Sequence, residues 1–262
     1  MAPPPAAAAG PAAPSAPGAP GDIAPHRAAY KLSLHSARSS SQIADVKGAM
    51  SFEWGDACDG WTTEQRFQLN FVYAEGASDE MTTTYATWEA KDGRRYRFNV
   101  RKLVNGEADE EVRGDARIDQ PGSAGEVVYA KPEPRKEKLP AGALFPSAHT
   151  IALLQKAAAG ERFYSELVFD GADDKGAAQV SAVIAKQAAL GSKLTSPLLS
   201  GGKAWPVRMA FFPMDGDSSQ PDYEMTVRLL GNGVAEGMRI DYGDFVIDAV
   251  LEKLEPLAKS GC

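Results

Sequence analysis

The chain has 262 residues, 44% of them hydrophobic, and a formal net charge of −7 with a pI near 5.1. This content is sufficient for a substantial core, in one large β domain or two small ones. Nucleic acids and anionic lipid surfaces are bound through a surplus of Lys and Arg, so the acidic balance argues against both partners. No apolar run approaches the roughly 20 residues of a membrane-spanning helix, so we expect no transmembrane segment.

Residues 1–25 are composed almost entirely of Pro, Ala and Gly. After Met1, Ile23 is the only sizeable aliphatic side chain there, so burial cannot offset the entropy lost on ordering the segment. We therefore predict a disordered, semi-extended tether over 1–25. The folded part is then expected to occupy 26–262.

The first hairpin signal is Asp59-Gly60, which lies between two stretches of alternating apolar and polar residues. A two-residue loop determines which residues face each other across a hairpin. The pairs that this turn predicts are Phe52 with Phe67, Met50 with Leu69, and Cys58 with Trp61. Cys58, one of two cysteines, is therefore expected at a hairpin tip.

A second turn signal lies at Lys91-Asp92-Gly93, and it allows two registers. A two-residue loop would set Trp88 opposite Arg97, whereas a three-residue loop with a left-handed Gly93 sets Trp88 opposite Tyr96. We favour the three-residue loop. It gives these pairs: Trp88 with Tyr96, and Ala86 with Phe98.

The next turn signal, Asn105-Gly106, is typical of a two-residue hairpin loop. It predicts cross-strand pairs of opposite charge, namely Lys102 with Asp109 and Arg101 with Glu110. Each such pair contributes about 0.2 to 1 kcal/mol. The basic strand 94–102 is thus expected to be neutralised by its neighbour and not to form a binding patch.

Helix signals are few, and one short helix is predicted from the run AHTIALLQKAAAG that follows a Pro-Ser pair. Ser147 is expected at or near its N-cap and Gly160 at its end. Ile151, Leu154 and Ala158 are expected on one side of this helix.

Two turns near the C-terminus predict a three-strand meander over about 221–254. The pairs set by Asn232-Gly233 are Val227 with Met238, Met225 with Ile240 and Tyr223 with Tyr242 on an apolar face, and Thr226 with Arg239 and Glu224 with Asp241 on a polar face. The pairs set by Gly243-Asp244, which suits a type II′ turn, are Tyr242 with Phe245 and Ile240 with Ile247. About a dozen strands and one helix make a mainly antiparallel sheet, and a sheet that long must curl, close or split.

No catalytic or metal-binding pattern is present in the sequence. The three histidines, His26, His35 and His149, have no HExxH spacing, and the cysteines are not in CxxC form, so we expect no metal site and no cofactor. His149 lies beside Ser147 and Thr150 and is the best candidate for a functional acid or base; the competing interpretation is that it fixes the turn by bonding backbone.

Two acidic stretches, 170–174 and 215–217, were compared with calcium-binding loops. Neither has the D-x-[DN]-x-[DN]-G-x₅-E pattern of such a loop. Both stretches are therefore predicted to be surface loops.

The two cysteines, Cys58 and Cys262, lie near the two ends of the expected folded part. A bond between them would close nearly all of that part into one loop, which is worth about 5 kcal/mol by chain entropy. In the cytosol two free thiols are the ordinary expectation, so the residues alone leave both states open.

Four segments resemble the cell envelope integrity EipB family, a family of periplasmic proteins of Gram-negative bacteria. They are HRAAYKLSLHSARSSSQIADVKGAMSFEWGDACDGWTTEQRF from residue 26, LPAGALFPSAHT at 139–150, PVRMAFFPMDG at 206–216 and DYGDFVIDAVLEKLEPL at 241–257. The resemblance covers about 26–262. At 143 and 147 this chain has Ala and Ser where the family more usually has Thr, so a hydroxyl at 143 is lost.

The resemblance implies one domain over 26–262, mainly β, in which a long antiparallel sheet curls into an unclosed barrel, or β-spiral, with one short helix. It implies a periplasmic location, after removal of a signal peptide, and a disulfide between Cys58 and Cys262 that ties the C-terminus to the first hairpin. It implies a role in cell envelope integrity and no catalysis.

Three functional hypotheses follow. The leading one is a non-catalytic protein whose curled sheet binds an apolar ligand, a lipid or a lipoprotein, and the second is a scaffold that binds a periplasmic helical-repeat protein through its surface. The third is an unrecognised hydrolase that uses His149. Large side chains either fill the interior or line a pocket, and the sequence leaves this open for Phe52, Phe67, Phe98, Tyr223, Tyr242 and Phe245.

Overall fold

The structure is a computed structural model that describes residues 19–214 and 219–262. The strands are β1 His26–Ala37, β2 Ile43–Ala57, β3 Gly60–Tyr73, β4 Ser78–Ala90, β5 Arg95–Val104, β6 Glu107–Ile118, β7 Gly125–Lys131, β8 Arg135–Leu139, β9 Phe163–Val168, β10 Ala178–Ile184, β11 Ala188–Ala189, β12 Lys203–Pro213, β13 Tyr223–Leu229, β14 Ala235–Asp241 and β15 Phe245–Pro256. In this part of the chain there is one α-helix, α1 Pro146–Ala158, and one 3-10 turn, Pro197–Leu199.

The strands form one 15-stranded sheet with the order β8-β7-β6-β5-β4-β3-β2-β1-β15-β14-β13-β12-β10-β9, and β11 pairs with β12. Chain neighbours pair antiparallel throughout most of this order, because short turns connect them. Two antiparallel pairs are not chain neighbours: β10 pairs with β12, and the central pair of β1 and β15 joins the two ends of the folded chain. Strands β8 and β9 are the two edges, so hydrogen bonds do not close the barrel, and the predicted fold class is confirmed.

The packed chain begins before the boundary that composition predicted. Ile23 is 1% exposed, and backbone bonds join Gly21 N to Gly231 O at 2.9 Å and Ala24 N to Asn232 O at 3.0 Å. Residues 19–25 therefore lie against the β13–β14 turn, because one buried Ile and the turn's free carbonyls give them partners. The remainder of the predicted tether, residues 1–18, lies outside the described residues.

The two C-terminal turns have the predicted registers. Val227 pairs with Met238 and Met225 with Ile240, and Ile240 also pairs with Ile247 across the next turn. Gly243 has φ +84°, as its type II′ position requires. A bulge between Arg228 and Leu229 interrupts the β13–β14 register close to the loop.

The predicted register of the first hairpin is wrong by one turn position. Ala57 pairs with Gly60, so the two-residue turn is Cys58-Asp59, and Met50 faces Phe67. Gly60 is the first residue of β3, and glycine is required there because a Cβ at this position would overlap the indole of Trp88. Cys58 takes the left-handed conformation in its place, with φ +59°, and it is at the hairpin tip as expected.

The favoured register at the β4–β5 turn is also wrong. Trp88 pairs with Arg97, and Glu89 pairs with Tyr96, because residues 91–94 make a four-residue loop in which Gly93 has φ +69°. The indole of Trp88 lies under the guanidinium carbon of Arg97, 5.5 Å from the ring centroid. The acidic side chain at 89, and not the indole at 88, therefore points toward the core.

The β5–β6 turn has the predicted two-residue loop, since Val104 pairs with Glu107. The predicted ion pair between Lys102 Nζ and Asp109 Oδ2 is present at 2.7 Å. A bulge between Lys102 and Leu103 moves Arg101 opposite Glu111 in place of the predicted Glu110.

Helix α1 begins at Pro146, two residues earlier than an N-cap at Ser147 predicts. Its N-cap is Phe145, which has no side-chain capping bond, and Ser147 is inside the first turn. A Pro at the first helical position displaces the cap to the residue before it. The buried side of α1 is Ser147, His149, Leu153, Leu154 and Ala157, so of the predicted face only Leu154 is buried. Gly160 ends the helix with φ +82°, as expected.

The described part of the chain has four clusters of buried hydrophobic side chains, and two of them fill the helix end of the curled sheet and its β5–β8 half. The first core joins α1 to the inner faces of β9, β10, β12 and β13 and to Trp54 of β2. The second core joins β5, β6 and β7 to Phe145 and Phe169. The segment 169–171 crosses β5 there, and the hydroxyl of Tyr96 donates to Asp170 O at 2.7 Å. A third core joins the inner faces of β1, β2, β3 and β15.

Candidate functional site

The inner face of the curled sheet is lined by aromatic side chains at the end away from α1. All of them are half-buried except Tyr242, which is 45% exposed. They come from β3, β4, β12, β13, the β14–β15 turn and β15, and we call them the aromatic mouth: Phe67, Phe71, Tyr85, Phe211, Tyr223, Tyr242 and Phe245. Phe52 and Trp61 are also half-buried on the inner face, and both pack against the first core.

The rings of the aromatic mouth support one another. Phe211 stacks on Tyr223 at 4.2 Å, Tyr223 lies 6.2 Å from Tyr242, and Tyr242 stacks on Phe245 at 5.1 Å. The chain of rings continues from Phe245 to Phe71 of β3 at 6.0 Å. Because each ring is held on one side by another ring, the remaining faces are held in place for a ligand.

The structure decides whether the large interior side chains fill or line the barrel. Phe98 is 2% exposed and fills the β5–β8 half. Phe52 is half-buried and packs between two cores. The remaining members of the predicted set, Phe67, Tyr223, Tyr242 and Phe245, line the aromatic mouth. In the β5–β8 half the large side chain is thus buried, and in the other half the large side chains are half-buried or, for Tyr242, exposed.

Among residues 19–214 and 219–262, the hydroxyls of Tyr85, Tyr223 and Tyr242 make no hydrogen bond. Burial raises the pKa of all three groups.

The carboxylate of Asp170 belongs to the same region. Burial raises its pKa, and its Oδ1 accepts from the backbone N–H of Ala172 at 2.9 Å. The charge of Asp170 in turn raises the pKa of both Tyr85 and Tyr223. The prediction of a surface loop over 170–174 is therefore wrong for Asp170, which the crossing of residues 169–171 over β5 carries inward. Of the other predicted acidic loop, residues 215–217 lie outside the described residues.

A belt of polar side chains lies between the aromatic mouth and the helix. It is formed by inward-facing residues of β3 and β4, namely Thr63, Gln65 and Thr87. The hydroxyls of Thr63 and Thr87 bond to each other at 2.5 Å. The inner wall therefore changes from aromatic to polar as it approaches α1.

At the helix end of this belt lies a buried carboxylate that the sequence analysis missed. Glu89 Oε2 accepts from Ser147 N and Oε1 from Ala148 N, each at 2.7 Å, which satisfies two of the free N–H groups at the N-terminus of α1. Burial raises the pKa of Glu89 to about 7, against the opposing effect of these two bonds. The β4 alternation was the available signal, because it places 89 on the face of Tyr85 and Thr87.

The three histidines lie in different surroundings. His149 is buried, stacks on Tyr164 at 5.4 Å, and has no partner for its Nε2. His26 Nδ1 contacts Ala24 O at 2.8 Å, whereas His35 lies outside the core against Asp248 at 2.9 Å. Among residues 19–214 and 219–262, no group of His, Cys, Asp and Glu side chains is arranged to hold a metal ion.

Replacing His149 by Phe is expected to protect the fold at low pH. Burial lowers the pKa of His149 to about 4 from 6.5. Between these two pH values the side chain is protonated in the unfolded chain and neutral in the folded protein. The contribution of neutral His149 to the free energy of unfolding is therefore fully present above about pH 6.5 and is lost as the pH falls toward 4.

The Phe variant keeps the stack on Tyr164 and has no proton to bind. Urea unfolding at pH 5 and 7.5 should show that His149→Phe loses up to about 2 kcal/mol less stability on acidification than the parent. His35→Phe, at the exposed histidine, is the matched control, and an equal acid response in His149→Phe and the parent would contradict the prediction.

The cysteines are joined in the structure, as the resemblance implied. Cys58 and Cys262 form a disulfide with their Cα atoms 5.9 Å apart. The tail is further held where Leu257 N donates to Pro25 O at 2.9 Å and where the Ser260 hydroxyl donates to Asp56 O. The C-terminus is thereby fastened to the tip of the first hairpin, beside the helix end of the spiral.

A second concavity lies on the outer face of β13–β15. It has a volume of about 780 Å³ and is bounded by residues 191–194. Four of its charged groups form ion pairs, Arg228 with Glu236 at 2.7 Å and Arg239 with Asp248 at 2.7 Å. Val250 on its floor is 57% exposed. This groove therefore offers a partner a concave shape and some apolar surface.

These features define a class of protein: a barrel-like curled antiparallel sheet that is latched by a disulfide and has an accessible aromatic interior. None of the helices in the described part of the chain is both long and apolar enough to cross a membrane.

Within that class the chain belongs to the EipB-like family, which it matches over residues 17–258. It is 34% identical over 242 residues to the cell envelope integrity protein EipB of Brucella abortus (strain 2308), a match that covers 89% of this chain and 84% of that protein. Among solved structures it is similar to a crystal structure of a β-barrel-like protein of the domain of unknown function DUF1849 from Brucella abortus. That similarity has a TM-score of 0.84 at 32% identity and covers 90% of this chain and 99% of the other.

Proposed function

We propose that this chain is a non-catalytic periplasmic protein that maintains the cell envelope by binding an apolar ligand, such as a lipid or the acyl chain of a lipoprotein, within its curled sheet. The observation that carries this proposal is the aromatic mouth, where half-buried rings line a concave surface. Covering such rings removes apolar area from water, which favours binding by about 25 cal/mol per Å² before the costs of association.

The compartment is supported by the disulfide and by the named relative. A bond between Cys58 and Cys262 persists in an oxidising compartment such as the periplasm and is rare in the cytosol. The relative from Brucella abortus is named for cell envelope integrity, and 34% identity over most of both chains supports a shared role.

The absence of catalysis is supported by the surroundings of the best candidate, His149. Its ring contacts Tyr164, and within the described part of the chain no carboxylate or hydroxyl bonds its side chain. A general base needs a partner that orients it and a route to the substrate. His149 is buried against α1 and β9, so we assign it a structural role.

A scaffold remains the second candidate, because the outer groove of about 780 Å³ offers a separate surface. A partner such as a periplasmic helical-repeat protein would contact that groove and leave the aromatic mouth free. The two candidates are distinguished by where substitutions weaken binding.

The aromatic mouth is expected to bind a fluorescent apolar probe such as N-phenyl-1-naphthylamine. Tyr242→Ser should weaken this binding about three- to tenfold, because it removes one accessible ring from the concave surface. Phe163→Ser is the matched control, since Phe163 is 74% exposed on the outer side of β9. A fluorescence titration of the three proteins checks this result.

Native mass spectrometry of protein isolated from the periplasm, with solvent extraction of the same sample, tests the natural ligand. Bound lipid in molar proportion would support the proposal. Failure of the parent to bind the probe, or equal losses in Tyr242→Ser and Phe163→Ser, would overturn it in favour of the scaffold.

A further inference from the structure

A cavity smaller than the outer groove lies on the outer face of the sheet, where β5 begins. It has a volume of about 210 Å³ and is lined by three arginines, Arg94, Arg95 and Arg117, together with Ile118 and Asp119. The first two arginines lie at the start of β5, and the third lies near the end of β6. The cavity therefore gathers three cations on a chain whose net charge is −7.

Two of these arginines, Arg95 and Arg117, lie directly opposite each other across β5 and β6. The neighbouring pair is hydrogen-bonded, since Ile118 N donates to Arg94 O at 2.9 Å. Arg95 and Arg117 therefore form a non-hydrogen-bonded pair, the type in which opposite side chains are closer together. Like charges directly opposite each other are destabilising, so an anion between these two guanidinium groups would relieve a repulsion within the sheet.

Carboxylates neutralise the basic strand β5 only in part. Arg97 pairs with Asp115 at 3.2 Å, and Lys102 pairs with Asp109 at 2.7 Å. In the part of the chain that the structure describes, no carboxylate pairs with Arg95. The neutralisation that the sequence predicts for this strand therefore does not reach its first residue.

The two carboxylates at the cavity leave at least one positive charge uncompensated. Asp119 contacts Arg117 at 3.3 Å, and Asp92 contacts Arg94 at 2.8 Å. All four side chains are at least 46% exposed, and ion pairs this exposed contribute little to stability. Both arginines can therefore turn toward a bound anion at small cost.

The indole of Trp88 holds Arg95 in place. The guanidinium carbon of Arg95 lies 5.7 Å from the ring centroid, and that of Arg97 lies 5.5 Å from it. Both distances are within the range in which a Trp ring attracts a cation to its face. A guanidinium that is already ordered loses less entropy when it binds an anion.

We propose that this cavity binds a phosphate monoester through Arg94, Arg95 and Arg117. A guanidinium group matches phosphate as a planar fork of donors, and a monoester has three free oxygens, one for each arginine. A polyanion or an anionic membrane surface would meet the net charge of −7, so a small ligand suits the site better than a polymer. The site lies on the outer face and is independent of the aromatic mouth.

Isothermal calorimetry with three small anions, at pH 7.5 and constant ionic strength, tests the proposal. Methyl phosphate is the monoester, dimethyl phosphate has one free oxygen and one charge fewer, and acetate is a planar carboxylate. We expect methyl phosphate to bind about tenfold more tightly than either of the others. Equal binding of all three anions, or no detectable binding of methyl phosphate, would overturn the proposal.

Two substitutions of Arg95 separate its charge from its fork of donors. Arg95→Gln should weaken the binding of methyl phosphate about tenfold or more, whereas Arg95→Lys, which keeps only the charge, should weaken it about threefold. Arg101→Gln is the matched control, because it removes the same charge from the outer face of β5 at a position outside the cavity lining. Equal losses in Arg95→Gln and Arg101→Gln would show that net charge alone attracts the anion and would contradict a site.

Thermal unfolding gives an independent readout. Because Arg95 faces Arg117, Arg95→Gln without ligand should melt at the temperature of the parent or higher. Methyl phosphate should raise the melting temperature of the parent more than dimethyl phosphate does, and this difference should disappear in Arg95→Gln. A lower melting temperature in Arg95→Gln with unchanged affinity for methyl phosphate would make Arg95 a structural residue and would also overturn the proposal.

Two larger monoesters identify what carries the phosphate. Glycerol 3-phosphate has no hydrocarbon chain, whereas dihexanoyl phosphatidic acid, titrated below its critical micelle concentration, carries the same group on a lipid. Equal affinities that both fall in Arg95→Gln would assign a soluble phosphate ester, and tighter binding of the lipid that falls in Arg95→Gln would assign a lipid head group. Binding of the lipid alone, unchanged in Arg95→Gln, would place it elsewhere and would overturn the phosphate site while leaving the apolar-ligand proposal standing.

Discussion

Replacing Cys58 by Ser is expected to lower the melting temperature by about 10 to 20 °C. The bond to Cys262 spans 204 positions, and in the unfolded chain a closed loop of that length is worth about 5 kcal/mol of entropy. For a protein of this size, each kcal/mol corresponds to about 2 to 4 °C. Thermal unfolding followed by circular dichroism measures the effect.

The control for this experiment is the double variant Cys58→Ser with Cys262→Ser. Its melting temperature should equal that of the single variant, because both lack the same loop closure. The reduced parent should have this melting temperature too. The folded structure of the variants should change little, since β15 still pairs with β1 and β14. Two titratable thiols in the untreated parent, or an unchanged melting curve after reduction, would contradict the prediction.

Replacing Glu89 by Ala is expected to cost about 3 kcal/mol of unfolding free energy. The substitution removes the acceptor of two N–H groups at the start of α1, Ser147 N and Ala148 N, and each buried donor left without a partner costs about 1 to 3 kcal/mol. Glu89→Gln keeps one acceptor oxygen and a similar volume, so it should lose less than half as much. Urea unfolding of both variants checks the order.

The Glu89→Gln variant also carries a pH signature. Because burial raises the pKa of Glu89 to about 7 from 4.5, the folded protein keeps a proton that the unfolded chain releases between those values. The free energy of unfolding therefore falls as the pH rises through this window, by up to about 3 kcal/mol, and the Gln variant lacks this fall.

His149 acts in the opposite sense, since its stabilisation is lost as the pH falls from about 6.5 to 4. The two effects oppose each other between about pH 4.5 and 6.5, so the parent should vary little there. Glu89→Gln should become less stable toward acid, and His149→Phe less stable toward neutral pH. Parallel pH profiles in the parent and both variants would contradict this pairing.

Local turn chemistry made much of the fold predictable. Gly243-Asp244 predicted the correct register because its two-residue loop fixes which residues face each other. Asn232-Gly233 predicted the correct pairs although that loop has three residues, 231–233, because the bulge between Arg228 and Leu229 restores the predicted register. The Cys58-Asp59 and 91–94 turns were assigned incorrectly for a shared reason. In both hairpins the register depends on Trp88, which lies over Gly60 and against Arg97. The residues of a turn do not specify such contacts between side chains of neighbouring strands.

The candidate site was predictable only in part. Phe67, Tyr223, Tyr242 and Phe245 belong to inward faces that alternation identifies, but alternation says nothing of what lies opposite them. Phe98 belongs to an equivalent face and is covered, because residues 169–171 cross it. Which rings remain accessible is thus decided by the path of a segment that connects β9 to β10.

By itself, the sequence determined the mainly β class, the hairpins whose loops specify their own register, the helix that ends at Gly160, and the position of Cys58 at a tip. These properties depend on residues close together in the chain. Only the tertiary structure decided that Glu89 caps α1, that Asp170 turns inward, and that Phe98 is buried whereas Tyr242 is exposed. Curling of the sheet brings β4, β13 and residues 169–171 together, and the free energy of such contacts depends on burial by distant segments.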